Sequence, residues 1–126
     1  MIFDTDILVW HFRGNPEAAA LVDAADSREI SIVSYMELVR GARNRDELRT
    51  TKSFLRESGF RVLPLTENIG HRAAMYMEQY GLRVALSVPD ALIAATALEN
   101  SLALTTGNVK HFSVIEGLDL RPFAPL

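Results

Sequence analysis

The sequence predicts an α/β domain in which a mostly parallel central sheet of about five strands is flanked by helices in three layers. Two observations carry this prediction: short β-branched or aromatic runs recur along the 126 residues, and helical patterns closed by Gly41, Gly59 and Gly81 separate them. Strands that alternate with helices need crossover connections, which place them parallel and cover the sheet on both faces. Residues 1–3 open as a strand with Asp4 at its carboxyl end. Asp6 then reads as the cap of a short helix carrying Ile7, Leu8, Trp10 and His11. Pro16 starts a second helix through an alanine-rich run to Asp26. Residues 29–34 form the second strand, because Ile30, Ile32 and Val33 favour an extended chain. A short helix over 35–40 ends at Gly41, and a longer basic helix over 45–58 ends at Gly59. Residues 60–65 read as the third strand, 67–80 as a helix stopped by Gly81, and the stretch from Pro89 to Asn100 as another helix. Residues 102–105 make the fourth strand and 118–121 a weaker fifth.

Length and composition bound the chemistry. A chain of this size buries about two-thirds of the surface its unfolded form exposes, and no linker or repeat divides it, so residues 1–126 are expected to be a single domain. There is no cysteine. Disulfides, zinc ribbons and thiol nucleophiles are therefore excluded, and any metal must be held by oxygen or imidazole ligands. The start Met1-Ile2-Phe3 is interrupted at once by Asp4 and Asp6 and does not read as a secretion signal. The apolar stretch 91–98 is too short to span a bilayer, which needs about twenty residues, so a cytoplasmic protein without a membrane partner is expected. Thirteen basic against sixteen acidic residues leave a net charge of −3, which argues against a wholly cationic surface.

In open α/β sheets the ligand site lies outside the carboxyl ends of the strands. Asp4 follows the first strand, Glu37 lies just past the second, Thr106 and Asn108 follow the fourth, and Asp90 opens the helix that feeds the fourth. Taken alone, Glu37 and Asp90 read as members of capping boxes, Ser34-Tyr35-Met36-Glu37 and Ser87-Val88-Pro89-Asp90. Asp4 is different, since a carboxylate directly after a buried strand needs a partner that its neighbours do not clearly supply. Asp6 is well placed to cap the helix that follows, and is assigned either a structural role or one of supporting the ligand residues from behind.

These residues also carry a family resemblance. Ile2-Phe3-Asp4-Thr5-Asp6-Ile7-Leu8-Val9 resembles the opening of a PIN domain, and Ile32-Val33-Ser34-Tyr35-Met36-Glu37-Leu38-Val39-Arg40-Gly41 resembles its second block. Asp90-Ala91-Leu92-Ile93-Ala94-Ala95-Thr96-Ala97 is similar to the third block and Leu104-Thr105-Thr106-Gly107-Asn108-Val109-Lys110-His111-Phe112 to the fourth. Together they span nearly the whole chain, and the short single-domain form resembles VapC toxins of bacterial toxin–antitoxin pairs. The resemblance implies a Mg²⁺- or Mn²⁺-dependent endoribonuclease held inactive by a VapB-type antitoxin. Asp4, Glu37 and Asp90 would surround the metal, with Asp4 and Asp90 as direct ligands. Hard divalent ions prefer such oxygen donors, and Mg²⁺ uses one or two carboxylates with several waters.

One position departs from the pattern: where many members of the family carry a fourth acid, this chain has Asn108. An amide cannot supply negative charge, so the second ion of a two-metal mechanism loses a ligand. Asn108 then serves to position water or phosphate, helped by the Thr106 hydroxyl, or is a turn residue. A catalytically weakened PIN-fold binding module is the alternative this departure leaves open. Receiver-like and haloacid-dehalogenase-like phosphoryl chemistry fit less well, because no later phosphoacceptor aspartate or well-placed lysine motif follows.

Charge is unevenly distributed. Residues 40–61 contain seven basic residues and three acids, a local charge of +4 that leaves −7 for the rest of the chain. Arg45 and Arg49 share a helical face with Lys52 and Arg56, and Arg40 and Arg43 lie closest to Glu37. Arg40, Arg43, Arg45 and Arg49 are thus candidates for RNA phosphates. His11, His71 and His111 show no metal-ligand spacing. Trp10, Phe12, Met75, Tyr76, Met77 and Tyr80 read as core or interface residues, and the Met and Tyr cluster over 67–80 suits the homodimer surface that the resemblance implies.

Overall fold

Ile2 and Phe3 are both fully buried, yet they join different cores, because successive side chains of a strand point to opposite faces. The computed structural model describes residues 1–125; Leu126, the last residue of the expected 1–126 domain, lies outside them. Strand β1 (Ile2–Phe3) leads into helices α1 (Thr5–Phe12) and α2 (Pro16–Ala24), then β2 (Glu29–Ser31), α3 (Ile32–Gly41) and α4 (Arg45–Glu57). The chain continues as β3 (Arg61–Leu63), α5 (Glu67–Tyr80), α6 (Val88–Glu99), β4 (Leu104–Thr106), α7 (Val109–Phe112) and β5 (Leu120–Pro122).

The five strands lie in the order β3-β2-β1-β4-β5 and every pairing is parallel. The order runs outward from β1 through β2 and β3, then returns to place β4 on the other side of β1. The reversal therefore lies between β1 and β4, where the helices leaving the two strand ends diverge and open a crevice. On one face Ile2, Leu63 and Leu104 pack beneath Ile69, Tyr76, Ile93 and Phe112. On the other, Phe3 and Ile30 pack with Ile7, Leu8, Val22, Leu38 and Leu55. Each of the large side chains fully buried here contributes about 1.5–3 kcal/mol by leaving water.

Three departures from the sequence reading bear on the site, besides shifts of one or two residues at the ends of the other strands. The strand expected over 29–34 stops at Ser31, whose side chain accepts from the Val33 N–H and starts α3 at Ile32. Val33 and Leu38 can then be buried from a helix, and that packing outweighs the weak β preference of Ile32 and Val33. Helix α1 begins at Thr5 with Asp4 as its cap, so Asp6 lies inside the first turn and is not the cap. The short helix α7 was not expected; it places His111 three residues after Asn108. The Met and Tyr cluster also divides: Tyr76 and Tyr80 are core, while Met75 remains exposed. Among the described residues no helix is long and apolar enough to cross a membrane.

Candidate functional site

Asp4 emerges from β1 at the crevice and is 6% exposed, so its carboxylate is almost wholly removed from water. Oδ1 accepts from the Thr5 N–H at 2.8 Å, and Oδ2 accepts from the Thr106 hydroxyl at 2.7 Å across the β1–β4 boundary. These donors favour the charged form, but burial and the charges of Asp6 and Asp90 oppose them, and the Asp4 pKa is pushed up to about 7. The same Thr106 Oγ1 accepts from the Asn108 N–H at 2.9 Å, so one hydroxyl fixes both Asp4 and the start of the loop after β4.

Glu37 reaches the crevice from α3, one turn beyond the buried Ser34. Thr5 Oγ1 lies 2.6 Å from Glu37 Oε1 and donates to it, and lies 2.9 Å from Ser34 Oγ. The expected Ser34–Glu37 capping box is thus replaced: Ser31 caps the helix, and Ser34 and Glu37 turn toward Thr5. The second box is present as expected, with Asp90 N–H donating to Ser87 Oγ at 3.2 Å and Ser87 N–H to Asp90 Oδ2 at 3.5 Å. Asp90 therefore both closes the capping box and lines the cleft. One oxygen of a carboxylate can serve a helix terminus while the other faces the cleft.

Asp4, Thr5, Asp6, Glu37, Asp90, Gly107 and Asn108 line a single open cleft of about 410 Å³. The structure thus brings together the three acids read from sequence, with Asn108 at the rim and Thr106 buried beneath it. Among the described residues no three Asp, Glu or His side chains are gathered into a ready metal cage. The Thr5 hydroxyl holds Glu37 Oε1, and the three acids line the cleft without forming a closed cage. The donor set is nevertheless all oxygen, and Asp6 Oδ1 is buried without a hydrogen-bond partner. Both features fit a hard divalent ion that takes one or two carboxylates and fills its remaining positions with water.

Two residues were missed in the sequence. Asp6, read as a cap, accepts from the Gly107 N–H at 2.9 Å, and burial, with a contribution from the Asp90 charge, raises its pKa. His111 Nδ1 lies 2.7 Å from Asn108 Nδ2 and 3.4 Å from Asp90 Oδ2. Only the i, i+3 spacing of Asn108 and His111 hinted at this contact, and it had meaning only once a helical turn was known there. The basic residues lie beyond the acidic cleft. Arg43 and Glu47 join Glu37 in a neighbouring groove of about 900 Å³ between α1, α3 and α4. Arg43 donates to Glu47 at 2.9 Å and Arg49 lies 3.5 Å from Asp46, whereas Arg40 and Arg45 make no ion pair among the described residues.

Residues 1–117 match the family model of the PIN domain. The chain belongs to the PIN domain family. It is 38% identical to the ribonuclease VapC10 of Mycobacterium tuberculosis, over 98% of this chain and 93% of that protein. It is 31% identical to the ribonuclease VapC19 of the same organism, over 96% of this chain and 97% of that one. A toxin–antitoxin complex from Klebsiella pneumoniae contains a chain that superposes with a TM-score of 0.84 at 29% identity, covering 99% of this chain and 98% of that one. Membership of the PIN family removes the receiver-like and haloacid-dehalogenase-like readings.

Within this PIN domain, Thr106→Val keeps the side-chain shape and removes the hydroxyl that holds both Asp4 and the Asn108 N–H. It is expected to cost about 1–3 kcal/mol of stability, read by urea denaturation, because two buried partners lose their bonds. Under the metal-binding role proposed below for Asp4, divalent-ion affinity is expected to fall about 10-fold, read by titration calorimetry, since an orienting contact to that carboxylate is lost.

Proposed function

We propose that this PIN domain is a metal-dependent endoribonuclease, the toxin of a VapC-type toxin–antitoxin pair, acting in the cytoplasm as a single domain over residues 1–126. The observation that carries the reading is the acidic cleft at the β1–β4 reversal, in a chain whose curated relatives are named ribonucleases. Asp4 and Asp90 would hold Mg²⁺ or Mn²⁺ directly, with Glu37 contributing through water. Bound there, such an ion supplies Lewis acidity toward a phosphate oxygen and makes water a nucleophile near neutral pH.

The chain's own residues do the rest. Thr5 N–H and the Thr106 hydroxyl fix both oxygens of Asp4, so its geometry is set before substrate arrives. Glu37 Oε1 is tied to Thr5, while Oε2 has no protein partner among the described residues and is available to orient water or accept its proton. Asn108 donates through its amide to His111 and lies at the rim, where it can present its oxygen or backbone to a phosphate or water without adding charge.

Arg40, one turn after Glu37 on α3, and Arg45, at the start of α4, are exposed and carry no ion pair, which supports them as the first RNA phosphate contacts. Arg43 and Arg49 would have to leave Glu47 and Asp46 to take part. Arg40→Ala and Arg45→Ala are each expected to lower the slope of log affinity against log salt by about one, with little sequence dependence, in RNA-binding titrations. Arg49→Ala is expected to change it less.

The neighbouring groove, which carries Val9, Phe12 and Leu38 on its walls and shares Glu37 with the cleft, is the surface best suited to a VapB-type antitoxin. Exposed Met75, Leu82 and Val88 support a homodimer through the α5–α6 side. The decisive test incubates the purified chain with total bacterial RNA and Mg²⁺ or Mn²⁺, with chelator and with Asp4→Asn and Asp90→Asn controls. Cleavage lost in all three controls is the expected result. Cleavage that survives chelation or both substitutions overturns the mechanism, and RNA binding without cleavage favours the weakened binding module that Asn108 suggests.

A further inference from the structure

Asp6 is not explained by the fold alone. Helix α1 is already capped by Asp4, and the helix position Asp6 occupies needs no carboxylate. One oxygen, Oδ2, holds the Gly107 N–H at 2.9 Å, a bond that the amide oxygen of asparagine would make equally well. The other, Oδ1, is buried with no hydrogen-bond partner, although it lies in a side chain lining the same cleft as Asp4, Glu37 and Asp90. The Ile7 and Asp6 N–H groups favour the charged carboxylate, but neither forms a hydrogen bond to Oδ1, and an oxygen removed from water without a partner is unfavourable unless a cation takes the place of the lost donors.

The loop after β4 is shaped around this carboxylate. A Cβ at Gly107 would lie 2.8 Å from Asp6 Oδ2 and 3.3 Å from the Phe123 carbonyl oxygen, so a side chain there would push the Asp6 carboxylate out of its place against the loop. Gly107 stands between Thr106, which holds Asp4, and Asn108, the position from which a fourth acid is missing. Asp6 therefore reaches, from the β1 side, the end of β4 where that acid would stand.

We propose that Asp6 is the fourth carboxylate of this site, supplying to a divalent cation the negative charge that Asn108 does not. The inference rests on the metal-dependent reading and adds to it a residue that sequence reading had assigned to helix capping. It also makes positions 6 and 108 alternative sources of one charge. The mutual influence of the acids agrees: the Asp6 charge is the largest contribution to the raised Asp4 pKa after burial, and Asp90 raises both.

The test is a double-mutant cycle read by Mn²⁺ binding, using electron paramagnetic resonance of the free ion, on the full chain at pH 7.5. Asp6→Asn keeps the bond to Gly107 and is expected to weaken Mn²⁺ by about 10-fold or more. Asn108→Asp in that background is expected to restore affinity to within about 3-fold of the native chain, while the same substitution alone changes it much less, because coupled sites are non-additive. Circular dichroism of each variant checks that it is folded, and Asn108→Asp alone remains informative if Asp6→Asn is not: a gain of about 10-fold or more from it would mean the fourth charge had been absent, overturning the proposal. Native affinity in Asp6→Asn alongside lost affinity in Asp4→Asn overturns the role of Asp6 and leaves the metal-dependent reading standing. A double variant as weak as Asp6→Asn also overturns the proposal. If the native chain takes up no Mn²⁺ at millimolar concentration, the metal-dependent reading fails and Asp6 falls with it.

Discussion

Asp4→Asn is expected to lower RNA cleavage by at least about a thousand-fold, equivalent to about 4 kcal/mol of transition-state stabilisation, while leaving the fold intact. The substitution is unusually clean here because both hydrogen bonds survive it. The amide oxygen can accept from the Thr5 N–H in place of Oδ1, and the Thr106 hydroxyl can reverse to accept from the new NH₂ while it still accepts from the Asn108 N–H. What is lost is one negative charge at the most buried position of the cleft. Single-turnover cleavage across a Mn²⁺ titration separates two origins of the loss. Recovery at saturating ion would place the whole role of Asp4 in binding, whereas a residual deficit would show that its charge also acts on the reacting phosphate. Activity within about ten-fold of the native chain at low ion concentration would remove Asp4 from the metal site altogether.

Much of this site was legible because Asp4 and Thr106 stand at strand ends, and strand ends in a parallel sheet share one edge. Asp4 and Thr106 could be placed on that edge from hydrophobic runs alone, since Ile2-Phe3 and Leu104-Thr105 are buried strands on any reading. Glu37 was expected on a helix and lies on one that reaches the cleft, although the start of that helix was misjudged. The helix starts at Ile32, not Tyr35, because Ser31 captures the Val33 N–H, and Ile-Ser-Ile-Val does not reveal from sequence which serine will do so. Asp6 was misread for a related reason. An acid two residues after another is a good cap in either register, and only the tertiary approach of Gly107, 101 residues away, shows which register the chain adopts. His111 shows the limit most clearly. Its contacts to Asn108 and Asp90 depend on the single turn of α7 and on α6 packing against it, and neither leaves a periodic signal in four residues.

In the absence of divalent ions the protein is expected to lose stability as pH rises from about 4 to about 8, the reverse of the usual behaviour of paired carboxylates. The Asp4 pKa is about 7 in the fold and 3.8 as an ordinary carboxyl, so between those values the folded chain holds a proton that the unfolded chain has released. Its contribution is complete below the lower value and is lost as pH climbs through the higher one; at 1.36 kcal/mol per pH unit the span amounts to about 4 kcal/mol. Asp6 is shifted in the same direction and adds to the trend. Small domains have only about 5–15 kcal/mol in total, so the effect is large enough to read by urea denaturation at pH 5 and pH 8 in chelator. Asp4→Asn cannot titrate at this position, so its stability should change much less between the two conditions and exceed that of the native chain at pH 8. Millimolar Mn²⁺ should close the gap at pH 8 and do little at pH 5, because a cation binds the carboxylate and competes with the proton. Equal pH profiles for the native and Asp4→Asn chains would show that the carboxylate is solvated in the fold, and the cleft would then lack the electrostatic strain that favours an ion. The same burial that destabilises the ion-free fold is what makes its charge effective once an ion is bound, so stability and metal affinity at this site are expected to trade against each other residue by residue.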